Sequence, residues 1–323
     1  MKQSIINKKQ YIILSFYLTR VLFLGIGFSV LVGIGKNSLL IASIMGMLLG
    51  YFLLYLFYLK GGLNKISTVL ISITTITAGL LAITTLTGTY LLYDTPTLFI
   101  MGTFILVIFY GALKEFKIIS RVSELFCPLS LCFIIFALIA LISLVSLYNL
   151  LPIFNTGFKE FIKCIVVFTA TSLMPNLVLL NYKGDLKFKD VGKGYLIGAI
   201  LTIIVMFFIL SIYGSEFAST IRFPEYLMLN KINLFNYVSN VENILVMEWV
   251  VNLTIGGLVC VKILLDNLNI YMVSTILVLI ILGTEFLMIR NYVNVLLFKK
   301  YVYFFCTVLI VISLFIKKNK NRN

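Results

Sequence analysis

Apolar runs of membrane-spanning length recur along the whole chain and constrain its fold more than any other feature. Most of these runs are about 18 to 24 residues long, the length that an α-helix needs to cross a bilayer. A transmembrane β-barrel would instead show shorter segments of alternating polarity. With 61% hydrophobic and 12% charged residues, the chain has too little polar surface to cover a water-soluble protein of 323 residues. The sequence therefore predicts an all-α integral membrane protein.

The runs predict about ten transmembrane helices and no soluble domain. Their bounds are 11–34, 38–59, 66–92, 97–112, 127–147, 163–180, 194–213, 244–265, 269–288 and 301–316. Lysine and arginine collect in the loops on the side of the N-terminus and in a short basic tail, 317–323, so the positive-inside rule predicts that both termini are cytoplasmic. The longest segment on the opposite side, 214–243, predicts a short amphipathic helix over the outer mouth, beginning near Pro224.

Two of the predicted spans contain residues that interrupt a helix. In the first span, Arg20 lies near the middle and the glycines of the segment Gly25–Gly27 follow. In the sixth span, Thr171 and Ser172 precede Pro175. Irregular backbone at membrane depth is tolerated only where it is buried in protein or lines a cavity. Two such interruptions predict a binding site between two broken helices.

The two interruptions occupy equivalent positions when the spans are divided into five and five. The first repeat is about 11–147 and the second about 163–316, within a single transmembrane domain. An odd number of spans in each half inverts the second half relative to the first. The position of the interruptions therefore predicts a five-plus-five inverted repeat.

Each interruption also has a simpler explanation. The glycines can serve close helix packing through small residues. Arg20 can extend its long side chain to the cytoplasmic face instead of facing the bundle as a gate or coupling residue. The hydroxyls of Thr171 and Ser172 can bond to the backbone that Pro175 leaves unpaired, with no ligand involved. These alternatives stay open at the level of the sequence.

Further polar residues lie in the third and eighth spans. The third span is rich in hydroxyl groups, and Thr84 is a candidate for a cavity wall. In the eighth span, Glu248 and Asn252 lie four residues apart on one helical face. A carboxylate within a span usually faces protein or water, so Glu248 is a candidate proton or ion site, or an acid at the membrane interface.

The composition argues against several other classes of protein. The chain has no histidine, and its five cysteines form no CxxC pair, which argues against a metal site, a cofactor and a disulfide framework. Without histidine or clustered carboxylates, an enzyme is the least expected class. The net charge of +14 is scattered over short loops, which predicts an effect on membrane orientation and no nucleic-acid partner.

Four segments of the chain resemble the endospore-germination permease family, the B subunits of nutrient germinant receptors, within the amino acid–polyamine–organocation transporter superfamily. These segments are Thr19-Arg20 with Gly25-Ile26-Gly27, Ile119-Ser120-Arg121-Val122-Ser123-Glu124-Leu125-Phe126, Met174-Pro175, and Arg222-Phe223-Pro224 through Phe235 to Val241-Glu242 with Trp249. The resemblance implies a LeuT-like fold with broken helices 1 and 6. It also implies that the chain binds a small nutrient such as an amino acid, works beside the A and C subunits of a receptor in the inner membrane of the spore, and triggers germination through ion release.

The predicted roles of the site residues follow from these observations together. Substrate contacts are expected from Gly25, Ile26, Gly27, Thr84, Thr171, Ser172 and Asn252, and an ion, proton or gating role from Arg20 and Glu248. An alternative is an ion-coupled amino-acid permease that acts alone. A third interpretation is a structural subunit whose ancestral site no longer binds.

Overall fold

The computed structural model of the chain describes residues 6–92, 94–154, 156–182, 186–232, 241–289 and 307–313, and these residues form helices and no strand. The first six helices are α1 (Lys8–Arg20), α2 (Phe28–Gly35), α3 (Leu39–Leu59), α4 (Lys65–Leu86), α5 (Thr97–Ala112) and α6 (Phe116–Leu141). The others with defined bounds are α7 (Phe158–Leu179), α8 (Phe188–Tyr213), α9 (Ser215–Thr220), α10 (Pro224–Asn230), α11 (Val241–Asn267) and α12 (Ile270–Ile289). Residues 307–313 form a further helical segment.

Most of these helices match the predicted spans, and the protein is a helical membrane protein. Among the described residues, six helices are long and apolar enough to cross a membrane, and two shorter apolar helices, Thr97–Ala112 and Ile270–Phe286, accompany them. The tenth predicted span falls mainly on residues outside the described part of the chain, as does the basic tail. The five-plus-five inverted repeat stays a prediction.

The predicted interruption of the first span takes the form of a π-helical segment, and its flanking residues keep helical backbone conformation. Helix α1 ends at Arg20, a π-helical segment covers Phe23–Gly27, and α2 begins at Phe28. In the π segment the N–H of Phe28 donates to the carbonyl of Phe23, five residues back. Glycine lowers the cost of leaving α-helical geometry, and π segments inside helices are frequent at functional sites.

The predicted interruption of the sixth span is wrong. Helix α7 runs without a break from Phe158 to Leu179 and carries Pro175 inside it. The hydroxyls of Thr171 and Ser172 both donate to the Phe168 carbonyl, at 3.0 and 2.8 Å. Pro175 cannot donate to the carbonyl of Thr171, four residues back, and the two hydroxyls bond to an earlier carbonyl, so they do not replace that bond. They bond within a helix that continues through the proline.

Helices α1, α7 and α11 form the centre of the bundle, while α6 lies towards its surface. In the membrane-spanning window, 83% of the residues of α7 and 72% of those of α11 are buried, against 22% for α6. Helix α1 contacts α6, α7, α8 and α11. Its approach to α8 is close because glycines at 194 and 198 present no side chain there, an arrangement typical of helix pairs in membranes.

The segment that follows α8 folds into two short helices, α9 and α10. Pro224 occupies the first turn of α10, as the sequence predicts. Helix α10 packs against α2, α6, α8 and α11. Residues 233–240 of the same predicted segment lie outside the described part of the chain.

Candidate functional site

Arg20 and Glu248 form a buried ion pair that joins the end of α1 to α11. The guanidinium donates twice to the carboxylate, at 2.6 Å to Oε1 and 3.2 Å to Oε2. The two side chains are only 5% and 3% exposed. The guanidinium also lies over the ring of Phe16, 5.2 Å from its centroid. Arg20 therefore faces the interior of the bundle, and its charge is balanced by a residue 228 positions away.

Burial makes the two charges of this pair strongly dependent on each other. Two charges held away from water attract each other strongly, but each pays a large desolvation cost. A bidentate contact between guanidinium and carboxylate has the geometry that best offsets this cost. Removal of either partner would leave the other charge buried and uncompensated, so the pair fixes the end of α1 against α11.

A cavity of about 50 Å³ opens beside the ion pair. By the volume that one water needs, it has room for roughly three to five water molecules. The charged and polar residues of its lining are Arg20, Thr202, Glu225 and Glu248, from four different helices. Phe23 and Leu24 of the π segment also line the cavity, so the interruption of the first span helps to shape it.

The α6 wall of the cavity, the part of its lining that α6 contributes, is apolar. Phe133, Ala137 and Leu141 recur every four residues and lie on one helical face, with Ile134 and Leu138 beside them. The lining thus combines charged residues with an apolar wall from α6. Such a site suits a small ligand that has a charged group and a short apolar part.

Helix α10 covers one side of the cavity and is held by aromatic contacts. Its Glu225 and Met228 line the cavity. Its Tyr226 ring lies 4.3 Å from the ring of Tyr90, and the Tyr90 ring makes an edge contact with Phe223 at 5.8 Å. Tyr90 belongs to a second π-helical segment, Thr87–Leu91, which follows α4. This aromatic cluster fixes α10 over the cavity.

The residues that the sequence predicted for substrate contact do not all lie together in the structure. Gly25, Ile26 and Gly27 lie in the π segment next to the cavity. Thr84, in contrast, does not line it, and its hydroxyl donates to the carbonyl of Leu80 at 2.7 Å. The hydroxyls of Thr171 and Ser172 bond within α7 in the same way, and neither residue lines the cavity.

Asn252 lies one helical turn beyond Glu248 and is fully buried. Neither its amide oxygen nor its amide nitrogen has a hydrogen-bond partner among the described residues. It is not among the residues that line the cavity. A buried amide without partners costs about 1 to 3 kcal/mol, and this cost marks Asn252 as a group that a ligand or a water molecule would satisfy.

A buried hydrogen-bond network lies between α1, α7 and α8. The Ser15 hydroxyl donates to the Asn176 side-chain oxygen at 2.7 Å, and the Asn176 amide donates to Thr19 Oγ1 at 2.9 Å. Ser172 and Tyr195 share a further hydrogen bond of 2.9 Å. These side chains bond to one another, so the network connects three helices. The polar residues Ser172 and Asn176 of α7 therefore have hydrogen-bond partners within the protein.

Replacement of Asn176 by leucine is expected to lower the stability of the protein by about 1 to 3 kcal/mol. The change removes the donor to Thr19 and one of the two acceptors of the Ser15 hydroxyl, which keeps the Val191 carbonyl at 2.8 Å, and both hydroxyls are fully buried. Thermal unfolding of the purified chain in detergent measures the effect. Asn267→Leu is the matched control, since the Asn267 amide is half-buried and bonds only to its own helix. Equal effects of the two changes would contradict the role of the network.

Several residues of the site have no clear signal in the sequence. Thr202 and Glu225 reach the cavity from α8 and α10, and the α6 wall consists of apolar residues at ordinary helical spacing. Glu225 follows directly after Pro224 in the segment predicted to cover the outer mouth, which is the one sequence feature that pointed towards it. The network residues Ser15 and Thr19 lie four apart on α1, a spacing that indicates a shared face and no particular partner.

Comparison with known proteins adds a family to this description. A search of curated proteins found no match. Residues 73–269 match the model of a family of spore germination proteins whose name identifies them as spore permeases. The matched region begins within α4 and ends just after α11, so it includes the α6 wall, α10 and Glu248. Because the match covers more than half of the chain, the protein belongs to this spore germination family and is a germination-related membrane permease.

Proposed function

We propose that this permease is the nutrient-binding membrane subunit of a spore germinant receptor. Its ligand is a small molecule such as an amino acid, and binding triggers germination through ion release. In this proposal the chain acts beside the A and C subunits in the inner membrane of the spore, with both termini in the cytoplasm. The membership of the spore germination family supports this role, and a permease family favours a transporter or receptor over an enzyme.

The observation that best supports the proposal is the cavity beside the Arg20–Glu248 pair. A buried ion pair at membrane depth is costly, and ionisable residues in such places usually serve function. The pair borders a cavity that the π segment of the interrupted first span also lines. Charged residues, an apolar surface and an interrupted helix together suit the recognition of a small amino acid.

The ion pair also offers a way for binding to change the protein. A ligand carboxylate would compete with Glu248 for the guanidinium of Arg20, and a ligand ammonium would compete with Arg20 for Glu248. Either exchange loosens the contact between α1 and α11. A ligand shifts a conformational equilibrium only when it binds one state better than the other, and this competition supplies such a difference.

Direct ligand contacts by Thr84, Thr171, Ser172 and Asn252 stay a prediction. Gly25, Ile26 and Gly27 act in this proposal by shaping the π segment and by bringing its backbone near the ligand. Arg20 and Glu248 act as the gate.

Deletion of the chain from a spore-forming host is expected to abolish ion release in response to one class of nutrient. Re-expression of the wild-type chain restores the response, whereas the Glu248→Gln variant does not, since the glutamine cannot balance the charge of Arg20. The measurement is the efflux of potassium from purified spores after the addition of single amino acids. Unchanged efflux in the deletion strain for every amino acid and sugar tested would contradict the receptor role.

A stand-alone permease is the second candidate, and the buried carboxylate of Glu248 favours it, because acidic groups at membrane depth often serve ion coupling. Uptake of a labelled amino acid by proteoliposomes that contain this chain alone would support transport. Ligand binding without uptake would support the receptor subunit.

A further inference from the structure

We infer that Ala137 determines the size of the ligand that the cavity accepts. The inference rests on the proposed function and deepens it, since it identifies the α6 wall as the part of the site that recognises the apolar side chain of the nutrient. The ligand class is a small amino acid whose charged groups meet Arg20, Glu225 and Glu248 and whose side chain points towards α6.

The orientation of the ligand follows from which helices supply the charged residues. Arg20 and Glu248 present a guanidinium and a carboxylate that match the carboxylate and ammonium groups of a zwitterion, and both belong to helices other than α6. The residues that α6 contributes to the cavity are all apolar and would leave a charged group without a partner. A zwitterion therefore places its charged end at the ion pair and its side chain on α6.

Ala137 is the smallest side chain on this wall. It is 7% exposed, and Phe133 and Leu141 lie one turn to either side of it on the same face. The cavity is only about 50 Å³ in volume, so a valine at 137 would occupy a substantial part of it with two further methyl groups. In an apolar pocket, one methylene group changes discrimination by about 10- to 200-fold.

The test is a binding profile across side chains of increasing size. Purified full-length chain in detergent is titrated with radiolabelled glycine, L-alanine, L-valine, L-leucine and L-phenylalanine. The variant Ala137→Val is expected to weaken binding of the largest amino acid that the wild type accepts by about 10-fold or more, and to change binding of the smallest by less than about two-fold. The variant Leu141→Ala is expected to act in the opposite direction and to extend binding to the next larger side chain.

Ala140→Val is the matched control. Ala140 lies on α6, less than one turn from Ala137, and is not among the residues that line the cavity. Its substitution should leave the profile unchanged, which separates a size limit from a general disturbance of α6.

The possible outcomes separate the size limit at Ala137 from the nutrient-binding role on which it rests. If the wild type binds amino acids and neither Ala137→Val nor Leu141→Ala changes the size profile, Ala137 does not set the limit, although the nutrient-binding role stands. An equal loss of affinity for every amino acid in Ala137→Val, with no gain in Leu141→Ala, would also overturn the inference. If the wild type binds no member of the series, the binding of amino acids by this chain is itself contradicted.

Discussion

Replacement of Arg20 by methionine is expected to destabilise the protein by about 3 to 5 kcal/mol, because it leaves the Glu248 carboxylate buried without its partner. Glu248→Met should cost a similar amount, since it leaves the guanidinium uncompensated. The double variant Arg20→Met with Glu248→Met removes both charges and keeps apolar volume at both positions. It should therefore be more stable than either single variant.

The measurement is thermal unfolding of the four proteins in the same detergent, analysed as a double-mutant cycle. The pair Lys163 and Glu160 is the matched control: its atoms are 2.7 Å apart, but the side chains are 51% and 43% exposed. Substitution of this surface pair should change stability little, because exposed ion pairs contribute little. Additive losses in the Arg20 and Glu248 cycle would show that the two residues do not depend on each other.

Replacement of Gly194 by alanine is expected to destabilise the protein by about 3 kcal/mol, the upper end of the range for overpacked cores. A Cβ atom at 194 would lie 2.2 Å from the carbonyl oxygen of Ile12 and 2.7 Å from Cβ of Ser15. The first of these atoms belongs to the backbone of α1, so α1 and α8 would have to move apart. That movement would also strain the hydrogen bond from Ser15 to the Val191 carbonyl.

Gly102→Ala provides the control for this substitution. Gly102 lies inside α5, and nothing would meet its Cβ within 4 Å. Alanine should raise stability there by about 0.5 to 1 kcal/mol, since glycine is a poor helix former. Both variants are compared with the wild type by thermal unfolding. A neutral effect of Gly194→Ala would mean that α1 and α8 are not packed as closely as described.

The sequence predicted much of the helical framework and one of the two interruptions. Runs of apolar residues locate membrane helices because the bilayer thickness fixes their length. The interruption after Arg20 was predictable because two glycines favour departure from α-helical geometry. At Pro175 the prediction failed, because α7 continues through the proline, an outcome that the sequence alone left open.

The sequence predicted individual residues of the site, but it did not predict which of them form a pair. Arg20 and Glu248 were both nominated from their charge at membrane depth, but nothing in the sequence joins residues 228 positions apart. The cavity depends on how α6, α8 and α10 pack around that pair. Ala137 and its neighbours are apolar residues in a membrane helix, where apolar residues are the default, so their role emerges only from the packing.

Binding of a small nutrient in the cavity beside Arg20 and Glu248 has a direct reporter within the chain. Trp249 lines the cavity and is the one tryptophan in the sequence. The decisive measurement is a titration of the purified chain with aliphatic L-amino acids, in which tryptophan fluorescence and equilibrium binding of the radiolabelled ligand are followed together. We expect both signals to saturate at the same ligand concentration in the wild type. Saturable binding that leaves the emission of Trp249 unchanged would place the ligand outside this cavity and overturn the proposed site.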